Sequence, residues 1–249
     1  MKRFLLLVTL ALFSAPFLSA SAAPKASVNP GFDPKAVALL DQSAAAYKKL
    51  KSFSAQISIL LKDKKTNAKG NGTVAFLRPG RAKIRVTMEG ETDVQQSDGS
   101  KVYFQIHPRK FESSNSKGDA AIQTVFFGQL AFGSIKTPLS LVLTYLVVGD
   151  NPAKDKDRNW KKVTLLPNNG VALQAVREDG ETLQLRIYID SKDSLVRRVE
   201  TKIGGKEQGV EIATLTNIQT NPKFAPGAFT FKLPRGAKVA PQNFGDSNR

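Results

Sequence analysis

The sequence predicts an α+β fold, mostly β, in which a single strongly curved antiparallel sheet forms an unclosed half-barrel with helices on its concave side. Three observations lead to this prediction. A helical segment beginning near residue 34 precedes a long succession of strands that alternate apolar and polar residues. A segment with helical spacing, at about residues 119–150, interrupts those strands. Its second half is apolar on nearly every side, so it has to be buried, and a closed sandwich would leave no place for it.

The first 22 residues have the layout of a secretory signal peptide. Lys2 and Arg3 precede an apolar run of 15 residues, and small residues follow, with cleavage expected after Ala22. The run is short of the ~20 residues that a membrane-spanning helix needs. The chain has no cysteine, which excludes disulfides, thiolate metal sites and a lipid-modified N-terminal cysteine. We therefore expect an exported, soluble periplasmic protein that is not lipid-anchored.

The net charge is +16 for the whole chain and +14 once Lys2 and Arg3 are removed. The basic residues are spread over many elements and often alternate with apolar residues, as on the solvent face of a strand. This distribution argues against a nucleic-acid reader, whereas an anionic membrane surface stays open as a partner. We expect a monomer.

A flexible lead at residues 23–32 is followed by the half-barrel domain, residues 33–239. Asp33-Pro34 reads as a helix N-cap with proline at the first helical position, and the helix runs to about Leu50. Five antiparallel strands follow, with residues 63–72 expected as a polar turn region and Arg78-Pro79-Gly80 joining two strands. The strands are expected around residues 53–62, 74–77, 83–89, 94–96 and 102–106.

The insertion at residues 119–150 is predicted to form two helices. The first, up to residue 133, is marginal because of its glycines, and Thr137-Pro138 caps the second. A meander of strands resumes after Arg158, a short final strand is expected at residues 229–233, and residues 240–249 are expected as a loose tail. The meander strands are expected around residues 160–166, 171–177, 182–190, 195–202 and 208–220.

Four strings, in order along the chain, resemble those of the periplasmic lipoprotein carrier LolA and its relatives. They are KSFSAQ at residues 51–56, FLRP at 76–79, SDG at 97–99 with VYF at 102–104, and AFTF at 228–231 with PRG at 234–236. The resemblance implies an unclosed β-barrel whose hydrophobic cavity lies under a helical lid. It also implies that Arg78, the arginine of the Arg-Pro motif, hydrogen-bonds to the lid and helps to hold it shut.

This chain departs from LolA at Ala82, Ile84 and Val86, where LolA carries aromatic residues, and its middle insertion is longer. It is therefore similar to a side branch of predicted periplasmic proteins with the same fold and an unknown ligand, because fold transfers more safely than function.

An inward apolar row and apolar lid helices together favour a carrier of acyl chains. The predicted cavity residues are Phe53, Ile57, Ile59, Val74, Phe76, Ile84, Val86, Phe104, Leu183, Leu185 and Ile187. The predicted lid residues are Phe126, Phe127, Leu141, Leu143 and Tyr145. The cargo is expected to be an acylated lipoprotein or a lipid, exchanged with donor and acceptor proteins of the inner and outer membranes.

Two alternatives remain open on sequence alone. The same fold could serve as an envelope sensing or protein-binding module without a transport role. The inward row could also be an ordinary packed core that binds no lipid, since any half-barrel shows such a row.

No set of residues points to catalysis, a metal or a cofactor. His107 is the single histidine, and Asp150, Asp155 and Asp157 are interleaved with basic residues as in a solvated loop. We expect neither an enzyme nor a metal site.

Overall fold

The computed structural model describes residues 30–64, 67–107, 109–127, 138–176, 180–204 and 209–241. The expected signal peptide, the lead through residue 29, residues 128–137 of the insertion and the tail beyond residue 241 lie outside the described residues.

Twelve strands and three α-helices form within the described ranges. The helices are α1 (Pro34–Lys49), α2 (Gly118–Phe127) and α3 (Pro138–Leu146), and a short 3₁₀ turn covers Pro152–Lys154. The strands before the helical insertion are β1 (Ser52–Asp63), β2 (Asn67–Leu77), β3 (Arg81–Met88), β4 (Glu91–Asp98), β5 (Lys101–His107) and β6 (Lys110–Asn115). Those after it are β7 (Trp160–Leu166), β8 (Gly170–Val176), β9 (Thr182–Ile189), β10 (Val196–Ile203), β11 (Gly209–Thr220) and β12 (Lys238–Pro241).

All twelve strands belong to one sheet, in the order β12-β6-β5-β4-β3-β2-β1-β11-β10-β9-β8-β7. Neighbouring strands are antiparallel except β12, which runs parallel to β6. The first and last strands in this order do not pair with each other, so the sheet is unclosed, and the helices pack on its concave side. The predicted fold class is confirmed.

Helix α1 begins as its sequence predicts. The Asp33 carboxylate accepts a hydrogen bond from the Lys35 amide at 2.8 Å, and Lys48 and Lys49 occupy the last turn, where positive charge suits the helix dipole. Just before the helix, the Asp33 amide donates to the Val163 carbonyl at 2.8 Å. This pairing places α1 against the β7 end of the sheet.

The expected turn at residues 63–72 is wrong over most of its length, because β2 begins at Asn67. The strand was obscured by Gly70 and Gly72, which weaken a strand pattern when the sequence is read alone. In the structure, a Cβ on Gly72 would lie 2.0 Å from the Arg85 carbonyl oxygen. A side chain at this position would therefore clash with the backbone of β3.

The structure differs from the prediction at β6, which the sequence pattern does not indicate, and at the final segment. Residues 229–233 are not a strand, because side chains rather than a backbone ladder hold this segment on the outer face of the sheet. Gln96 Nε2 donates to the Phe229 carbonyl at 2.7 Å, and the Phe231 ring stacks on Tyr103 with centroids 4.0 Å apart. The last strand is instead β12, so Ala240 and Pro241 pair with β6 rather than beginning a loose tail.

Candidate binding site under the helices

The concave wall of the sheet is apolar and covered. Most of the predicted cavity residues are at most 4% exposed and form one buried cluster with the helices. The covered members are Phe53, Ile57, Ile59, Val74, Phe76, Ile84, Val86, Leu185 and Ile187. The strand register explains this: Ala55, Val74 and Ile84 are direct cross-strand partners and therefore share one face.

Two predicted cavity residues lie at the margins of this cluster. Phe104 is half-buried and packs against it. Leu183 lies at the end of β9 and lines a groove of about 270 Å³ together with Lys161 and Lys202. The wall thus extends to the rim of the sheet on this side, and basic side chains flank the rim.

The inserted helices cover the two halves of the wall separately. Helix α2 packs across β3, β4 and β5, and α3 packs on β10, β11 and α1. The buried stripe of α2 consists of Ala121, Ile122, Val125 and Phe126, and α3 buries Leu139, Val142, Leu143 and Leu146. Both helices are short and nearly without charge, so tertiary packing rather than intrinsic helix stability holds them in place.

The predicted lid residues differ in position. Phe126 and Leu143 are both 1% exposed and point inward, and Leu141 is half-buried. Phe127 differs from the expectation that it fills the interior: its side chain is 52% exposed, because it follows the buried Phe126 around the helix and faces away from the wall. Tyr145 is half-buried, and its hydroxyl donates to the Asp155 carboxylate.

Arg78 joins three elements at one corner of the wall. Its Nε donates to the Leu50 carbonyl at 2.9 Å, where α1 gives way to β1, and its Nη2 donates to the Val147 carbonyl just after α3. Its Nη1 forms an ion pair with Asp119 in the first turn of α2. The guanidinium group suits this position because its donors form a fixed planar fork, and cations are favoured near helix C-termini.

A polar row on the concave face was missed by the sequence reading. Asp93, Gln95 and Ser97 of β4 are 2%, 0% and 0% exposed. Gln95 is paired directly with Ile84 on one side and with Phe104 on the other, so the row faces the interior. The hairpin register between β3 and β4 was the available signal, because it puts these residues in phase with Ile84 and Val86.

A second buried polar pair lies on the other half of the wall. Thr201 of β10 and Glu211 of β11 are direct cross-strand partners. Neither Thr201 Oγ1 nor Glu211 Oε1 has a hydrogen-bond partner, and Glu211 is 7% exposed. Burial raises the pKa of the Glu211 carboxyl to about 8.

A profile of the family described as predicted periplasmic protein (DUF2092) matches residues 36–241. The chain belongs to the DUF2092 family. A comparison with curated proteins finds no match. The description of the family agrees with the expected location in the periplasm, and the expected side branch of predicted periplasmic proteins is confirmed.

Three solved structures illustrate what this chain is similar to. The DUF2092 protein is similar to NE2245 of this superfamily from Nitrosomonas europaea, at 7% identity and a TM-score of 0.41, over 79% of this chain and 97% of that one. It is similar to the Mycobacterium tuberculosis lipoprotein LppX at 13% identity and a TM-score of 0.37, over 78% and 98% of the two chains. MucB of Pseudomonas aeruginosa, solved with MucA, is similar at 13% identity and a TM-score of 0.41, over 80% of this chain and 61% of that chain. No residue role in the DUF2092 protein follows from these likenesses.

Among the described residues, no group of three or more histidine, cysteine, aspartate or glutamate side chains could hold a metal ion. In the same part of the chain, no helix has the length and apolar character that crossing a membrane requires. The side chain of His107 lies outside the described residues.

Proposed function

We propose that this protein binds the acyl chains of a lipoprotein or lipid on the concave face of its sheet, after α2 and α3 move away from that face. The observation that carries the proposal is how the helices are held against the concave face of the sheet. Two short apolar helices cover it, and a single side chain, Arg78, connects both of them to the start of β1. We infer that Arg78 acts as the latch of this lid.

The free energy gained by burying the helices against the wall is similar in size to that gained by burying one acyl chain there. Seven larger apolar side chains of α2 and α3 are buried, and each contributes about 1.5–3 kcal/mol, or roughly 10–20 kcal/mol in total. One acyl chain of ~14 carbons contributes ~11 kcal/mol when it is buried. A cargo can therefore replace the helices against the wall, and the returning helices can help to expel it.

The proposal includes export and a basic approach surface. Residues 1–22 serve as a signal peptide, and the +14 charge of the remaining chain draws it to anionic headgroups where cargo is exchanged. Lys161 and Lys202, at the rim beside Leu183, suit such an approach.

Native mass spectrometry of protein purified gently from its own envelope tests the proposal. We expect co-purifying acylated species, which solvent extraction releases and identifies. As a second measurement, a fluorescent fatty-acyl probe should bind the delipidated protein. A clean apo mass together with no probe binding would leave the wall as an ordinary packed core.

A further inference from the structure

Gln95 is a buried amide that the fold does not satisfy. Its side chain is 0% exposed, and neither Nε2 nor Oε1 has a hydrogen-bond partner in the part of the chain that the structure describes. A buried amide without partners loses its bonds to water and gains nothing in return, so the native state is less stable for having it. Such a group therefore calls for an explanation other than stability.

The adjacent residue shows how the same fold treats a glutamine with a structural role. Gln96 is 2% exposed and lies on the opposite face of β4, where its Nε2 donates to the Phe229 carbonyl at 2.7 Å. The two glutamines have the same chemistry and nearly the same burial. They differ in that Gln95 faces the concave wall and has no partner there.

None of the described residues around Gln95 on the wall forms a hydrogen bond with its side chain. Its cross-strand neighbours are Ile84 and Phe104, and the helix that covers β4, α2, directs only apolar side chains inward. Along the strand, Ser97 Oγ accepts from the Gly99 amide at 3.2 Å and forms no hydrogen bond with Gln95. Among the described residues, the Gln95 amide therefore keeps its hydrogen-bonding capacity for a group that enters when α2 moves away.

We propose that Gln95 is a hydrogen-bonding subsite for the amide or ester group at which the acyl chain of the cargo is joined. This inference rests on the proposed function and adds the chemistry of the ligand's polar junction. The Gln95 carboxamide carries N–H donors and a carbonyl acceptor side by side. An amide group of the cargo pairs with both, whereas an ester carbonyl pairs with the donors alone. The hydrocarbon chain itself offers neither.

A neutral junction fits this position better than an anionic one. Asp93 is two residues away on the same face and 2% exposed, so an anionic group bound at Gln95 would lie near a carboxylate. Arg78, the cation that contacts both helices, is already engaged by Asp119 and two carbonyls. A phosphate or free carboxylate of the cargo therefore belongs at the basic rim instead.

The test uses two probes with the same ~14-carbon chain and fluorophore, joined through an amide in one and an ether in the other. We expect wild-type protein to prefer the amide probe by about tenfold, which is about 1.4 kcal/mol. Gln95→Leu should abolish the preference while it binds the ether probe as wild type does. Gln95→Leu should also have a melting temperature equal to or above that of wild type, whereas Gln96→Leu should melt lower and keep the probe preference.

The outcomes distinguish a failure of acyl binding itself from a failure of the Gln95 subsite alone. If neither probe binds wild-type protein, the acyl-binding function itself fails. If both probes bind and Gln95→Leu leaves their affinity ratio unchanged, the subsite is overturned and the binding function stands. If Gln95→Leu and the similarly shaped Gln95→Met both unfold, the side chain has stabilising partners, and the inference is overturned as well.

Discussion

Replacing Arg78 by lysine separates the shape of its side chain from its charge. The guanidinium donates to Leu50 and Val147, two carbonyls on different elements, and pairs with Asp119 at the same time. A lysine ammonium donates from a single point, so it keeps one of the two carbonyl contacts and loses the other. We expect Arg78→Lys to loosen α2 and α3 without unfolding the sheet.

The magnitude follows from the contacts. A hydrogen bond from a charged donor contributes about 1.5–3 kcal/mol, and the Arg78 side chain is only 18% exposed, so the loss of one such bond should cost about 2 kcal/mol. The Asp119 side chain is 50% exposed, so its ion pair should contribute about 0.5 kcal/mol. Asp119→Asn should therefore have a much smaller effect than Arg78→Lys.

Hydrogen exchange measures the local effect. A loss of about 2 kcal/mol should speed amide exchange in α2 and α3 by about 30-fold, with the amides of β1 to β3 unchanged. The fluorescent acyl probe should also enter faster. Arg85→Lys is the matched control, because Arg85 is an exposed arginine on the next strand and should leave both measurements unaltered.

Equal exchange in both helices and equal probe uptake for Arg78→Lys and Arg85→Lys would refute the role of Arg78 in closing the lid. Arg78 would then be only the last residue before a turn. An effect of Asp119→Asn as large as that of Arg78→Lys would assign the closure to the ion pair rather than to the two carbonyl contacts.

Two further predictions concern buried positions of the sheet. The Glu211 carboxyl has a usual pKa of 4.5 and a pKa of about 8 in the folded protein. Between these pH values the folded state binds a proton that the unfolded state has lost, so the protein loses stability as pH rises from about 4.5 through about 8. Glu211→Gln should remove this slope, at roughly 1.4 kcal/mol per pKa unit, and should be more stable than wild type at pH 9. Urea denaturation at pH 5 and pH 9 measures the difference, and equal slopes for the two proteins would refute it. Gly72→Ala should cost about 3 kcal/mol, because its Cβ would lie 2.0 Å from the Arg85 carbonyl oxygen; a cost under ~1 kcal/mol would show that β2 and β3 separate easily.

The strands with clear alternation were predicted correctly, and those without it were not. Phe53, Ile57 and Ile59 alternate with polar residues, so β1 was read from the sequence with its buried face. Strand β6 has the sequence KFESSN and pairs through its backbone, which leaves little side-chain signal. Strand β12 is four exposed residues that become a strand only because β6 lies beside them.

The candidate site also has features that the sequence predicts and features that it does not. The sequence predicts two parts of the site: Arg78, at the corner before Pro79, and the apolar inserted helices. The partners of Arg78 could not be predicted, because Leu50, Asp119 and Val147 lie 28, 41 and 69 residues away and meet only when the sheet curls.

The sequence by itself determined the curved sheet, its order of elements and its apolar concave face, because local alternation and turn residues encode which side chains are buried. Tertiary structure alone decided what else lies on that face. Gln95 and Glu211 are polar residues in their own strands, and only cross-strand register places them inside. Whether a buried polar group finds a partner depends on elements far apart in the chain, and none of the described residues forms a hydrogen bond with the Gln95 amide.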